Sequence, residues 1–399
     1  MATFKYSKRV PADGTDAVGA ILAAAADPSI ISFAGGLPAP ELFPVEAMKR
    51  AAEAAFDEHG QQVMQYGDAR GVAAMRELVT KIVKEHENID AKDENICMTS
   101  GSEQILELAA KALVNPGDTV LVEDPTYLCA VDAFKSYGAN LVGVPTDEDG
   151  LIPAELEKTV QAHPEAKFLY VIPTFQNPTG RTMPAERRKQ VAELASKYDF
   201  LVFEDNPYGD IRFEGEHVDA IKSYDKTDNV VYMGTFSKIL SPGFRLGYFV
   251  ADPGFVKKFT VLKQTADLGT DNLVQWCTVK FYEQNDVNEH VKKISDLYGQ
   301  RKKLMEEGMQ KYFPEGVTYT HPEGGMFLWV TVPGVEDTTE LFETCLKQKV
   351  AFVPGEPFYA AKPEPGHLRL NYSNMKPDQI EEGLKRLGKA LEEAIAANK

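Results

Sequence analysis

The chain has 399 residues, 43% hydrophobic and 26% charged, which is the composition of an ordinary globular protein and more length than one core usually organises, so about two domains are expected. Its 43 basic against 60 acidic residues give a net charge of −17, which argues against a nucleic-acid or anionic-membrane partner, since either needs a basic face. Four widely spaced cysteines, no Cys-x-x-Cys pair and seven scattered histidines predict reduced thiols in a cytoplasmic protein with no metal site.

At the N-terminus, Lys8-Arg9 followed by the apolar run 17–26 loosely resembles a secretion signal, but Asp13 and Asp16 interrupt it. The run reads as an Ala-rich helix packed on the body of the protein. No run reaches the roughly 18 apolar residues that suggest a membrane span. After Pro44, the pattern Ala47, Met48, Ala51, Ala52, Ala55, Phe56 marks a helix.

From about 45 to 250, helix-period and strand-like segments alternate, the signature of an α/β sheet with helices on its faces. Short apolar runs at 120–122, 141–144, 168–172, 200–203 and 230–233 read as buried strands with room for crossover helices between them, hence several parallel strands. In such sheets a ligand sits beyond the carboxyl ends of the strands, and the polar clusters fall there. Thr99-Ser100-Gly101-Ser102-Glu103-Gln104 opens a helix beginning near Ile105; it can be a simple cap by Ser100 or Ser102, or an anion site to which Glu103 lends only its backbone. Asp124-Pro125-Thr126-Tyr127 puts Tyr127 at the sheet rim, as a core ring or as one that stacks on a flat ligand. Phe175-Gln176-Asn177-Pro178-Thr179-Gly180 reads as a turn, or as one whose Asn177 amide donates to a phenolate oxygen. In Glu204-Asp205-Asn206-Pro207-Tyr208, Asp205 either caps a turn or keeps a pyridine nitrogen protonated. Last comes Ser237-Lys238-Ile239-Leu240-Ser241-Pro242-Gly243-Phe244-Arg245: a lysine able to form a Schiff base with an aldehyde cofactor, and an arginine able to hold that cofactor's phosphate.

Past Pro253 the chain turns to long polar helices, and after Phe313 to short strands at 326–332, 350–353 and 367–371. A final helix starts at Pro377 and repeats Ile380, Leu384, Leu387, Leu391 and Ile395 on one face.

Taken together, this ordered set resembles the fold type I aminotransferases that use pyridoxal 5′-phosphate, in particular the aminoadipate and kynurenine aminotransferase branch. The resemblance runs from Ser32-Phe33-Ala34-Gly35-Gly36-Leu37-Pro38 to His367-Leu368-Arg369-Leu370-Asn371-Tyr372-Ser373. It implies a large domain (45–300) with a mixed, mostly parallel sheet, a smaller α+β domain (301–399), and an N-terminal segment (1–44) that joins the small domain and the active site. Lys238 would carry the cofactor and move the proton, and Asp205 would pair with its ring nitrogen. Asn177 and Tyr208 would contact its phenolic oxygen, and Tyr127 would stack on its ring. Ser102, Glu103 (backbone), Thr235, Ser237 and Arg245 would bind the phosphate, with Tyr66 reaching it across a homodimer interface. Arg369 would clamp the substrate carboxylate, beside Gly36 and Asn177. An amino-acid donor and a 2-oxo acid acceptor, 2-oxoglutarate, would then exchange an amino group in ping-pong fashion. Where aminoadipate-using members carry an arginine on the N-terminal helix, the matching position here is Gly19, which favours aromatic or large aliphatic donors, with aminoadipate as the alternative. A lyase or decarboxylase on the same fold, and a non-catalytic effector domain, are the other classes to weigh.

Overall fold

The apolar runs between residues 120 and 233 become the middle of one eight-stranded sheet. The computed structural model describes residues 4–10, 19 and 27–397, so the expected helix at 17–26 lies outside the described residues apart from Gly19. In chain order the strands are β1 (Ile31–Ser32), β2 (Ile96–Thr99), β3 (Thr119–Asp124), β4 (Asn140–Asp147), β5 (Gly150–Leu151), β6 (Phe168–Val171) and β7 (Leu201–Asn206). They continue with β8 (Val230–Thr235), β9 (Gly247–Val250), β10 (Thr318–Tyr319), β11 (Phe327–Thr331), β12 (Val350–Ala351), β13 (Val353–Pro354) and β14 (His367–Asn371). The large sheet has the order β2-β9-β8-β7-β6-β3-β4-β5. Neighbours from β8 to β4 are parallel, while β9 runs against both β8 and β2. The sheet is therefore mixed and mostly parallel.

Period-2 alternation decides which residues face which layer of helices. Val120, Val122, Phe168, Tyr170 and Phe203 enter one apolar layer with Ile105, Leu108, Phe134 and Phe259. Their chain neighbours Leu121, Leu169, Val171 and Val202 enter the other layer, with Leu156, Val160, Val191 and Ala195. Both faces are covered by helices, as the continuous apolar runs of these strands require.

A second sheet, β10-β11-β14-β13, is antiparallel. β1 pairs in parallel with β12, which ties residues 31–32 to the C-terminal part of the chain. The helix Pro377–Ala397 buries Ile380, Leu384, Leu387 and Leu391 as its repeat requires. Each such side chain contributes roughly 1.5–3 kcal/mol of transfer free energy. The helix Val287–Tyr312 runs unbroken through residue 300.

Candidate active site

Strand register gathers the polar clusters at one rim. Thr99 of β2, Gly247 of β9 and Thr235 of β8 lie opposite one another in a row, so the chain leaves these strands at the same sheet edge with Ser100 to Glu103, Arg245, and Ser237-Lys238 side by side. The parallel strands β3, β6 and β7 deliver Tyr127, Asn177, Asp205 and Tyr208 to that edge. One pocket is lined by Ser102, Glu103, Tyr127, Asn177, Asp205, Tyr208, Thr235, Ser237, Lys238 and Arg245, together with Ile172, Pro207 and Pro242.

At the lysine end, the Lys238 amine donates to the Gly36 carbonyl at 2.9 Å. Burial, and after it the positive charges of Arg369 and Arg245, lower its pKa to about 8. Arg245 donates to the Pro242 carbonyl at 3.2 Å, and its guanidinium lies against Gly101, where a Cβ would stand 2.4 Å from Nη2. Gly101 has φ +77°, so glycine is needed there for both conformation and space. Gly247 meets the same loop from below: its Cβ would lie 2.7 Å from the Gly101 carbonyl carbon and 2.8 Å from the Ser102 nitrogen. The Thr235 hydroxyl donates to Ser237 Oγ at 3.0 Å and accepts from the Ser237 N–H at 3.2 Å.

Ser102 stands at the N-cap of the helix Glu103–Leu113, yet its side chain makes no capping bond; nor does Ser100, whose hydroxyl donates to Asp267 at 3.3 Å. The simple-cap reading of this loop is therefore corrected. Gln104 instead accepts from the Ser100 N–H at 2.9 Å and donates to Asp267 at 2.7 Å. Glu103 departs from a backbone-only role in one respect. Its side chain also enters the pocket, accepting from the Tyr127 hydroxyl at 3.4 Å, and burial raises its pKa.

At the other end Asp205 is a buried strand residue, and the turn is held by its neighbour Asn206, which accepts from the Gly209 N–H at 3.0 Å. Asp205 Oδ2 accepts from the Tyr170 hydroxyl at 2.7 Å. Its Oδ1 is buried and has no partner among the described residues. Burial raises the carboxyl to about 7, against the lowering effect of the Tyr170 bond.

Arg369 lies mid-strand in β14, between Trp329 and Val353. Nη1 donates to Asn177 Oδ1 at 2.7 Å and Nη2 to the Ala34 carbonyl at 2.8 Å. Nε is buried and unpartnered among the described residues. The guanidinium is flanked by the rings of Phe327 at 4.1 Å and Phe358 at 5.2 Å. Gly36 is close by, with Phe327 filling the space where its Cβ would go.

The sequence reading missed three residues that hold these groups. Glu123 accepts from the Ile172 N–H at 2.8 Å and from Gln176 at 3.4 Å, and Gln176 also donates to the Pro125 carbonyl at 2.8 Å. This fixes the turn that carries Asn177. Burial pushes Glu123 up to about 8. Tyr170 is the third. For Glu123 the available signal was an acidic residue directly after the aliphatic run of β3, and for Tyr170 a hydroxyl within the apolar run of β6; Gln176, in the turn after β6, carried none. Tyr66 is not brought to this pocket within the chain: it is 85% exposed, in a cleft beside Asp267 to Leu273.

These residues fit pyridoxal phosphate. The orphaned Asp205 oxygen is an acceptor waiting for one N–H, and Arg245 beside a helix N-terminus suits a phosphate dianion. A lysine with a depressed pKa suits attachment to an aldehyde.

Comparison with known proteins agrees with this geometry. The family model described as aminotransferase class I and II matches residues 37–387. Aromatic-amino-acid aminotransferase 1 of Thermococcus litoralis is 41% identical over 92% of this chain and 89% of its own, and the 2-aminoadipate transaminase of Thermus thermophilus is 36% identical over 92% of each. The crystal structure of Pyrococcus horikoshii kynurenine aminotransferase in complex with PMP superimposes with a TM-score of 0.93 at 39% identity, covering 97% of both chains.

Proposed function

This chain belongs to the class I and II aminotransferase family and is a pyridoxal phosphate-dependent enzyme, and from that premise we propose that it moves the amino group of aromatic and large aliphatic L-amino acids to 2-oxoglutarate. The observation that carries the reading is the facing pair in one pocket: a lysine with a lowered pKa at one end and an unpartnered buried carboxylate oxygen at the other.

When bound, the cofactor supplies an electron-poor ring that takes up the charge left as the amino acid loses its α-proton. Asp205 Oδ1 would accept the ring N–H, while Asn177 and Tyr208 bind its phenolic oxygen and Tyr127 packs on its face. The Ser102 and Glu103 backbone, with Thr235, Ser237 and Arg245, would hold the phosphate. Arg369 offers the substrate carboxylate a rigid fork with Nε still free. Lys238 Nζ, neutral in part at physiological pH, would take the α-proton and deliver it to the carbon on the other side of the amino nitrogen. Donor and acceptor use this one site in turn, so kinetics of ping-pong form are expected. The names of the Thermococcus and Pyrococcus relatives support an aromatic donor, as does Gly19. The Thermus relative supports aminoadipate as a second donor.

A donor panel with 2-oxoglutarate as acceptor tests the substrate class. Phenylalanine and leucine should exceed aminoadipate and glutamate in kcat/KM, and a strong aminoadipate preference would overturn that part. Product formation without any oxo acid would favour a lyase or decarboxylase. Lys238→Ala should lose the visible absorption of the lysine-linked cofactor; an unchanged spectrum would remove Lys238 from its role.

A further inference from the structure

Tyr170 sits in β6, one strand away from Asp205 in β7. The strands are parallel with Tyr170 opposite Phe203, and alternation places Asp205 on the same face as Phe203, so the phenol meets the carboxylate on the diagonal. Its ring is held edge-on by Phe134, with centroids 5.8 Å apart at 75°. Tyr170 and Phe134 belong to the same apolar layer. Tyr170 and Asp205 are both buried, and Asp205 lines the pocket; the 2.7 Å bond takes up Oδ2, while Oδ1 has no partner among the described residues.

We propose that Tyr170 is a positioning residue for the reaction: its hydroxyl fixes Asp205 Oδ2, which aims Oδ1 at the cofactor's ring nitrogen and keeps the carboxylate ionised. This rests on the reading of Asp205 as the ring-nitrogen acceptor. A carboxylate pressed into an apolar layer without that donor prefers to be protonated, and a protonated carboxyl no longer offers a charge-assisted bond to an N–H. Burial already holds Asp205 near neutrality, with the Tyr170 bond as the opposing effect.

Tyr170→Phe removes one oxygen and keeps the packed ring. The dissociation constant of pyridoxal phosphate from the apo chain, measured by absorbance titration from pH 6 to 8, should rise about tenfold at pH 8 and converge on wild type toward pH 6, where the wild-type carboxyl is itself protonated. In the loaded enzyme, kcat should fall while KM for the amino acid stays within about twofold. Phe259→Leu loosens the same layer at a ring that packs on Phe203, Phe249 and Phe255, and it should leave the pH dependence of cofactor affinity unchanged. In an Asp205→Asn background, Tyr170→Phe should have no further effect. A wild-type pH dependence in Tyr170→Phe, a loss equal at every pH, or the same change in Phe259→Leu overturns the proposal. If Asp205→Asn alone leaves affinity and kcat unchanged, the reading of Asp205 has failed and Tyr170 falls with it.

Discussion

Lys238 is easier to deprotonate than a lysine in water because burial and two arginine charges penalise its ammonium form. The sign of the pH effect follows. Below a pKa of about 8 the reactive neutral amine is the minor form, growing roughly tenfold per pH unit. Stopped-flow absorbance on adding cofactor to the apo chain should show attachment accelerating to about pH 8 and levelling beyond it. Arg369→Gln removes one of the charges and should move that bend upward, so an unmoved bend would discount the arginine. Lys238, Asp205 and Asn177 were legible as members of an ordered set of polar clusters that follow strands, each ambiguous alone, and Arg369, which lies mid-strand, only through the resemblance that the set carries. Tyr170 and Glu123 were not, because their roles are set by which strand lies alongside, and no single strand's sequence states its neighbour.

Strands of the middle of the sheet were readable from their apolar runs, since both faces are covered and side chains of either parity enter an apolar layer. β9 was not, being four residues long and directly after the Arg245 turn. Yet β9 is what braces the anion cradle. Gly247→Ala should drive a methyl into the Gly101–Ser102 backbone, lowering cofactor affinity about tenfold and stability by about 1–3 kcal/mol. Gly60→Ala, where a Cβ meets open space in the helix Val45–Met64, is the control: it should leave cofactor affinity unchanged and raise stability by about 0.5–1 kcal/mol. Equal behaviour of the two variants in titration and denaturant unfolding would show the brace to be unimportant.

Among the described residues no helix is long and apolar enough to cross a membrane. The exposed face around Tyr66 and Met64, continued by an apolar groove of about 470 Å³ lined by Phe43, Met48, Leu240, Phe244 and Leu273, supports the proposal of a homodimer. Sedimentation should give twice the 44.1 kDa chain mass. If Tyr66 serves the other copy, Tyr66→Ala and Lys238→Ala proteins, each weak alone, should regain about a quarter of wild-type activity when subunits exchange, since half the dimers then hold one complete site. No recovery despite exchange would confine Tyr66 to its own chain.

Arg369 reaches back to the Ala34 carbonyl, and the Lys238 amine to Gly36, so one short early segment is held by groups translated 202 and 335 residues later. Biosynthesis inherits that arrangement. On the proposed roles, a ribosome that stopped short of residue 369 would have made Lys238, Asp205 and Arg245 but not the arginine that would grip an amino acid by its carboxylate. On those roles, the part that would select a substrate is thus translated after every part that would hold the cofactor.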